Sequence, residues 1–501
     1  MPLFDNVATK ESEKVMNLKR TSLEMAKIDK SGIVSFLKEI ETAGIEIHDL
    51  MILRGSYVCC EAEWRPYKKE YLHMLYSLSK AFTALGTGFA VQEGLFNTED
   101  TVYSFFEDEM KKEGFADSIC EKSRKITIEH LLTMNTGQEE EPPILNYEFD
   151  GNWIAKFLQI DPVHEPGTNF FYDTTATYVL SAIITKVTGE TLENYLKPRL
   201  FTPLGIDTFV WDKSPAGCSL GGIGLNLSIE SIAKLGVFLL QEGEWEGKQL
   251  LNTSWIKRMT SNLVSSVGGQ VYDNGDNWGC GYGYQIWQCI PDGIYRGDGA
   301  YGQLAIVAPK ENLIIAVLAG TEDTGTLMNS MWKNILPACE TVKLEDIKEA
   351  ESQKMIFALP CVKGNRNFPK EFQDSYNIND NQEGIEKITF EISDEKLLSV
   401  TCSFKNNNVR CLKFGFEKWQ DNLIDGAYYD EYYSCGDIRT SQISGSWGWS
   451  DNSLNLKLCY LNGPLGITAK CTFKDNEVEI KVQKEKSMLL KMEYEFLGEK
   501  E

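Results

Sequence analysis

Two strand-like stretches held apart by a long helical block constrain this chain most. Residues 48–62 read as two short strands around Gly55-Ser56, and strand-like runs return only at 281–287, 302–307 and 313–319. Between them, to about residue 260, apolar residues recur at helical spacing. Thr127-Ile128-Glu129-His130-Leu131-Leu132 reads as a capped turn, and Tyr178–Val187, closed by Gly189, as an amphipathic helix. A further helical pattern over 326–339 is available to cover a sheet. The expected fold class is therefore α+β, a sheet flanked by helices and interrupted by a helical insertion.

The pattern changes near residue 340. Residues 346–355 form a Lys/Glu-rich linker, and beyond them strand-like runs appear at 387–392, 397–404, 409–416, 453–460, 468–473 and 478–482, parted by Asn/Asp/Gly turns. The division expected is 1–345, a linker 346–355, and an all-β sandwich or barrel over 356–501. Trp447-Gly448-Trp449 is read as core and turn packing rather than a carbohydrate platform.

Composition narrows the function classes. Fifty basic against seventy-three acidic residues give a net charge of -23, which repels nucleic acid and anionic lipid. No apolar run is long enough for a membrane helix, and Met1–Asn6 lacks the features of an export signal, so a cytoplasmic protein is expected. Thirteen cysteines without Cys-x-x-Cys spacing and four unpaired histidines point to reduced thiols and to neither metal nor cofactor.

The chemistry-bearing stretch is Tyr76-Ser77-Leu78-Ser79-Lys80, which opens the apolar run 81–90. With Ala81, Phe82, Leu85 and Phe89 on one buried helical face, Ser77 and Lys80 share a side three residues apart. A lysine in a partly dry site loses its charge and can take the hydroxyl proton, turning serine into a nucleophile. Ser-x-x-Lys also occurs at Ser35/Lys38, Ser231/Lys234, Ser254/Lys257, Ser330/Lys333 and Ser393/Lys396, so the motif alone selects nothing.

Three further stretches do select. They are Glu165-Pro166-Gly167-Thr168-Asn169-Phe170-Phe171-Tyr172-Asp173-Thr174 with the apolar helix after it, Leu227–Gly236, and Gly297-Asp298-Gly299-Ala300-Tyr301-Gly302-Gln303 ending in Ala308-Pro309. In order and spacing, residues 30–340 resemble the serine β-lactamase-related superfamily, in its class C-like branch of esterases, peptidases and amide hydrolases. The resemblance implies an antiparallel sheet flanked by helices and a serine acyl-enzyme mechanism. It makes Ser77 the nucleophile, Lys80 its general-base partner and Tyr172 a proton relay. The backbone N–H groups of Ser77 and Ala300 would form the oxyanion hole, with Thr174, Asp298 and Gly299 toward the substrate.

Two departures from the family pattern bear on specificity. Thr174 stands where the second motif ends in Asn, and Gly297-Asp298-Gly299 replaces Lys-Thr-Gly or His-x-Gly, which removes a cation suited to a substrate carboxylate. Asp298 would favour neutral or cationic substrates, or else simply form a hairpin turn. Rival motifs are Tyr272-Asp273-Asn274, Tyr460-Leu461-Asn462 and the Gly-x-Ser-x-Gly of Gly217-Cys218-Ser219-Leu220-Gly221. The last lacks a histidine after His164 to complete a triad, which leaves Ser219 in a glycine-rich loop near the site. His130 and His164 read as structural. The leading expectation is a serine hydrolase acting on a small ester, amide or peptide; the alternative is a binding or regulatory protein on the same fold.

Overall fold

The computed structural model describes residues 17–142, 151–267, 276–365, 372–381, 383–393, 396–425, 440–486 and 493–501. The two sequence-distant strand groups close one sheet. Tyr57–Arg65, Ile47–Arg54, Leu313–Ala319, Gln303–Ala308 and Tyr295–Gly299 run antiparallel in that spatial order, and Leu313 pairs with Arg54 at the join. Every residue of Ile47–Arg54 and of Leu313–Ala319 is buried. Strands covered on both faces favour continuous apolar runs, which Leu313–Ala319 has throughout and Ile47–Arg54 has over Leu50–Leu53, while burying His48, Asp49 and Arg54 as well.

Helix Ile229–Leu240 packs on the central strands, approaching so closely that a Cβ on Gly236 would stand 2.5 Å from Ile314 Cγ2. Helices Lys30–Thr42 and Thr324–Asn334 pack against each other, and Ile33, Phe36 and Ile40 of the former join the same core. Between the halves of the sheet lies the helical insertion, whose longest members are Ser79–Gln92 and Thr174–Thr188. Thr127 caps its short helix through a capping box with His130, and Gly189 ends Thr174–Thr188 at φ 72°.

Some local expectations change. Tyr295–Gly299 is a strand, so the Gly-Asp-Gly motif lies within a ladder and not in a hairpin turn. Of 281–287 only Trp287, with Gln288, is strand. Gln353–Ala358, expected partly as linker, pairs parallel with Tyr57–Arg65 and so lengthens the first sheet. Ahead of the first helix a two-residue strand, Lys19–Arg20, pairs parallel with Tyr57 and Val58.

The C-terminal domain is a closed nine-strand barrel. Antiparallel pairing runs without a break from Val409–Phe416 through to Thr440–Ser450, and a short parallel contact, Gly415 with Ser446 and Phe416 with Trp447, closes the ring. Gln420–Asp425 pairs beside the other half of Thr440–Ser450. Trp447 is wholly buried, donates its indole N–H to Lys396 O, and belongs to the barrel core. Strand Phe372–Ile378 escapes sequence reading because only Phe372 and Tyr376 of its seven residues are buried.

Candidate active site

Ser77 sits in a single tight turn, Tyr76–Leu78, that leads into helix Ser79–Gln92. Tyr76 has φ 48°, a left-handed conformation that costs a non-glycine residue about 1 kcal/mol or more. The turn is pinned from several directions: Leu75 N–H donates to Leu225 O at 2.8 Å, and Ser79 Oγ donates to Tyr76 O at 2.6 Å. The helix is buried on every side from Ser79 to Ala90, not on one face alone. Gly86 and Gly88 let Leu192 and the Trp255 indole come against its backbone, where a Cβ would stand 2.6 and 2.4 Å from them.

That burial decides the state of Lys80. The side chain is almost wholly enclosed, and loss of solvent pulls its pKa from 10.5 down to about 7, against the opposing charges of Glu141, Asp173 and Asp298. Its Nζ donates to Ser77 Oγ at 2.9 Å, Gly222 O at 3.0 Å and Thr174 Oγ1 at 3.3 Å. The threonine in the second motif therefore accepts from Lys80. The amine also lies 4.7 Å from the centroid of the Tyr172 ring, which stacks on Trp287 at 5.3 Å.

Three acids surround this amine. Asp173 caps helix Thr174–Thr188 by accepting from Thr175 N–H at 2.8 Å, and burial followed by the Glu141 charge raises it to about 8. Glu141, from the loop after Leu132, accepts the Thr174 N–H at 2.8 Å. Asp298 is partly buried, which raises its pKa, yet it faces a counter-charge: Arg296 Nε donates to Asp298 Oδ2 at 2.8 Å. Arg296 is itself fully buried and also donates to Asn277 O and Gln288 O, both at 3.1 Å.

The strand carrying Gly297 and Gly299 lies hard against the Ser77 turn. A Cβ at 297 would meet Leu78 Cδ1 at 2.3 Å, and one at 299 would meet Leu75 O at 2.1 Å. Leu78 thus occupies the space a Lys or His side chain at 297 would need. Ala300 follows directly and packs with Met74, Tyr76 and Tyr301 beside the Ser77 turn.

The Beta-lactamase family model matches residues 56–340, more than half of the 501 residues. The chain belongs to the β-lactamase family. A penicillin-binding protein of Bacillus subtilis (strain 168) is 28% identical over 158 residues, 29% of this chain, so the match spans only 32% of that relative's length. An uncharacterized protein of Alkalihalophilus pseudofirmus is 24% identical over 314 residues, covering 60% of this chain and 86% of that one. Among solved structures, EstCE1, a hydrolase with promiscuous acyltransferase activity, superimposes with a TM-score of 0.50 at 17% identity, covering 62% of this chain and 100% of that one.

Within this β-lactamase-family domain three of the rival lysines are engaged elsewhere, and Ser35 and Lys38 are both exposed. Lys234 donates to Gly205 O at 2.7 Å, Lys257 pairs with Glu242 and Lys333 with Glu39. Ser219 is buried in the glycine-rich loop, where its carbonyl accepts from Ser181; the same loop supplies the Gly221 and Gly222 carbonyls to Thr83 and Lys80. His130 closes the capping box and His164 pairs with Glu139 at 2.7 Å. Tyr272-Asp273-Asn274 lies outside the described residues.

Sequence reading did not single out Glu141, Gly222 or Arg296. Only Arg296 left a signal: on a strand, 296 and 298 point the same way, so a cation beside Asp298 was foreseeable.

Proposed function

We propose that this protein is a serine hydrolase that cleaves an ester or amide of a small substrate through an acyl-enzyme on Ser77. The observation that carries this reading is the Lys80 amine, 2.9 Å from Ser77 Oγ with a pKa drawn to about 7, so that a free base is present near neutrality. The neutral amine takes the hydroxyl proton as Oγ bonds to the substrate carbonyl carbon, and the carbonyl electron pair moves onto its oxygen. The Ser77 and Ala300 N–H groups receive that negative charge. Collapse expels the alcohol or amine, which leaves with the proton from Lys80, relayed by Tyr172. Water then repeats the sequence on the acyl-enzyme and frees Ser77.

The surroundings support a neutral or cationic substrate. Glu141, Asp173 and Asp298 all act on Lys80, and Arg296, the nearby cation, is committed to Asp298. No helix among the described residues is long and apolar enough to cross a membrane.

A fluorophosphonate probe and a panel of short-chain p-nitrophenyl esters, peptides and β-lactams, with mass spectrometry for the acyl adduct, test the proposal. Labelling and turnover are expected in the native protein and absent in Ser77→Ala. Turnover that survives the substitution removes Ser77 from the chemistry.

A further inference from the structure

Tyr460-Leu461-Asn462, a literal Tyr-x-Asn far from the catalytic helix in sequence, lies where the barrel meets the segment leading into Ser77. Met74 N–H donates to Asn462 O at 2.7 Å, and Asn462 Nδ2 donates to Leu72 O at 3.4 Å. The Tyr67 hydroxyl reaches Tyr460 O at 3.2 Å and Gly463 O at 3.0 Å. Leu461 and Cys459 of the barrel bury themselves against Tyr67 and Leu359.

A second arm reaches the same residue, Met74, from its carbonyl side. Lys486 of the barrel pairs with Glu46 at 2.5 Å, and Glu46 Oε1 lies 3.0 Å from His48 Nε2. His48 Nδ1 and His73 Nε2 stand 2.9 Å apart, and His73 Nδ1–H donates to Met74 O at 2.9 Å. The barrel thus holds the Met74 N–H directly and its carbonyl through a buried chain of side chains. Two residues later the backbone takes the left-handed turn at Tyr76 that presents Ser77, and on the other side Leu75 O abuts Gly299.

We infer that the barrel loop Tyr460–Gly463 is a positioning element for Ser77, clamping the 72–76 segment against the Gly299 strand and so setting where the Ser77 hydroxyl and N–H stand relative to Ala300. The barrel is then part of the catalytic apparatus without touching substrate. A displacement of about 1 Å at a reacting group is enough to lower a rate by as much as about a hundredfold. The inference rests on the hydrolase reading for its kinetic consequence and on geometry alone for the coupling.

Two variants loosen the clamp: Tyr67→Phe, which keeps the ring stacked on His48 at 3.5 Å and removes only the hydroxyl, and Leu461→Ala. Leu456→Ala, in the barrel core away from the contact, controls for general loss of barrel stability. With a p-nitrophenyl ester the clamp variants are expected to lose about tenfold in kcat with KM within about twofold, and to react more slowly with fluorophosphonate in proportion. Hydrogen–deuterium exchange of peptides covering 72–78 is expected to rise in both clamp variants and not in Leu456→Ala. Unchanged exchange in the clamp variants, or an equal rise in the control, overturns the coupling even if no ester is turned over. Raised exchange confined to the clamp variants with kcat unaltered overturns the positioning role. An inactive native protein refutes the hydrolase reading and leaves exchange to judge the clamp.

Discussion

Replacing Lys80 by methionine should abolish activity and at the same time make the protein more stable near neutrality. The interval between 10.5 in water and about 7 in the fold corresponds to about 5 kcal/mol of burial cost for the charged amine. Methionine fills similar space without that cost, but it forsakes the bonds to Ser77 Oγ, Gly222 O and Thr174 Oγ1, each worth about 1 kcal/mol. The expected net gain at pH 7 is about 2 kcal/mol. Its pH dependence is the sharper test. Because the folded pKa lies below the unfolded one, the native protein gains stability relative to the variant as pH rises from about 7 to 10.5, by about 1.4 kcal/mol per pH unit, and loses it as pH falls back through 7. Asp173, which would lose the attraction of Lys80 in the variant, shifts the comparison the same way. Urea denaturation followed by tryptophan fluorescence, at half-unit steps from pH 6.5 to 10, gives the difference directly, since groups titrating alike in both proteins cancel. A flat difference across that range refutes a depressed Lys80 pKa, and with it the reason Ser77 should be nucleophilic.

Two other outcomes follow from close contacts. Arg296→Met should cost about 3–5 kcal/mol by stranding Asp298 as a largely desolvated acid without its cation, and the double variant Arg296→Met/Asp298→Asn should recover most of it, as read from urea midpoints. Gly236→Ala should cost about 1–3 kcal/mol and lower the melting temperature, because its new methyl meets Ile314 at 2.5 Å.

The strands and catalytic motifs were legible to different depths. Leu313–Ala319 announced itself by an unbroken apolar run, and the barrel strand Ser453–Tyr460 by its alternation. Thr440–Ser450 did not, since its serines and glycines look like a loop until the ring closes around Ser444, Ser446 and Trp447, all buried. At the site, Ser77, Lys80, Tyr172 and Thr174 lay in recognisable motifs. Glu141 and Gly222 did not, because each reaches the site from a loop whose course depends on how the insertion packs.

By itself the sequence determined what is local: that Ser77 and Lys80 stand on one side of a helix start, that strand-like runs flank a helical block, and that a strand-rich region follows them in the chain. Tertiary structure decided that the Lys80 amine is enclosed and set 2.9 Å from Ser77 Oγ. The charge state of an amine depends on how much water and which charges surround it, and for Lys80 these come from Glu141, Asp173, Gly222 and Asp298, up to 218 residues away in the chain. The same holds for Asn462, which meets Met74 only because the barrel closes and docks.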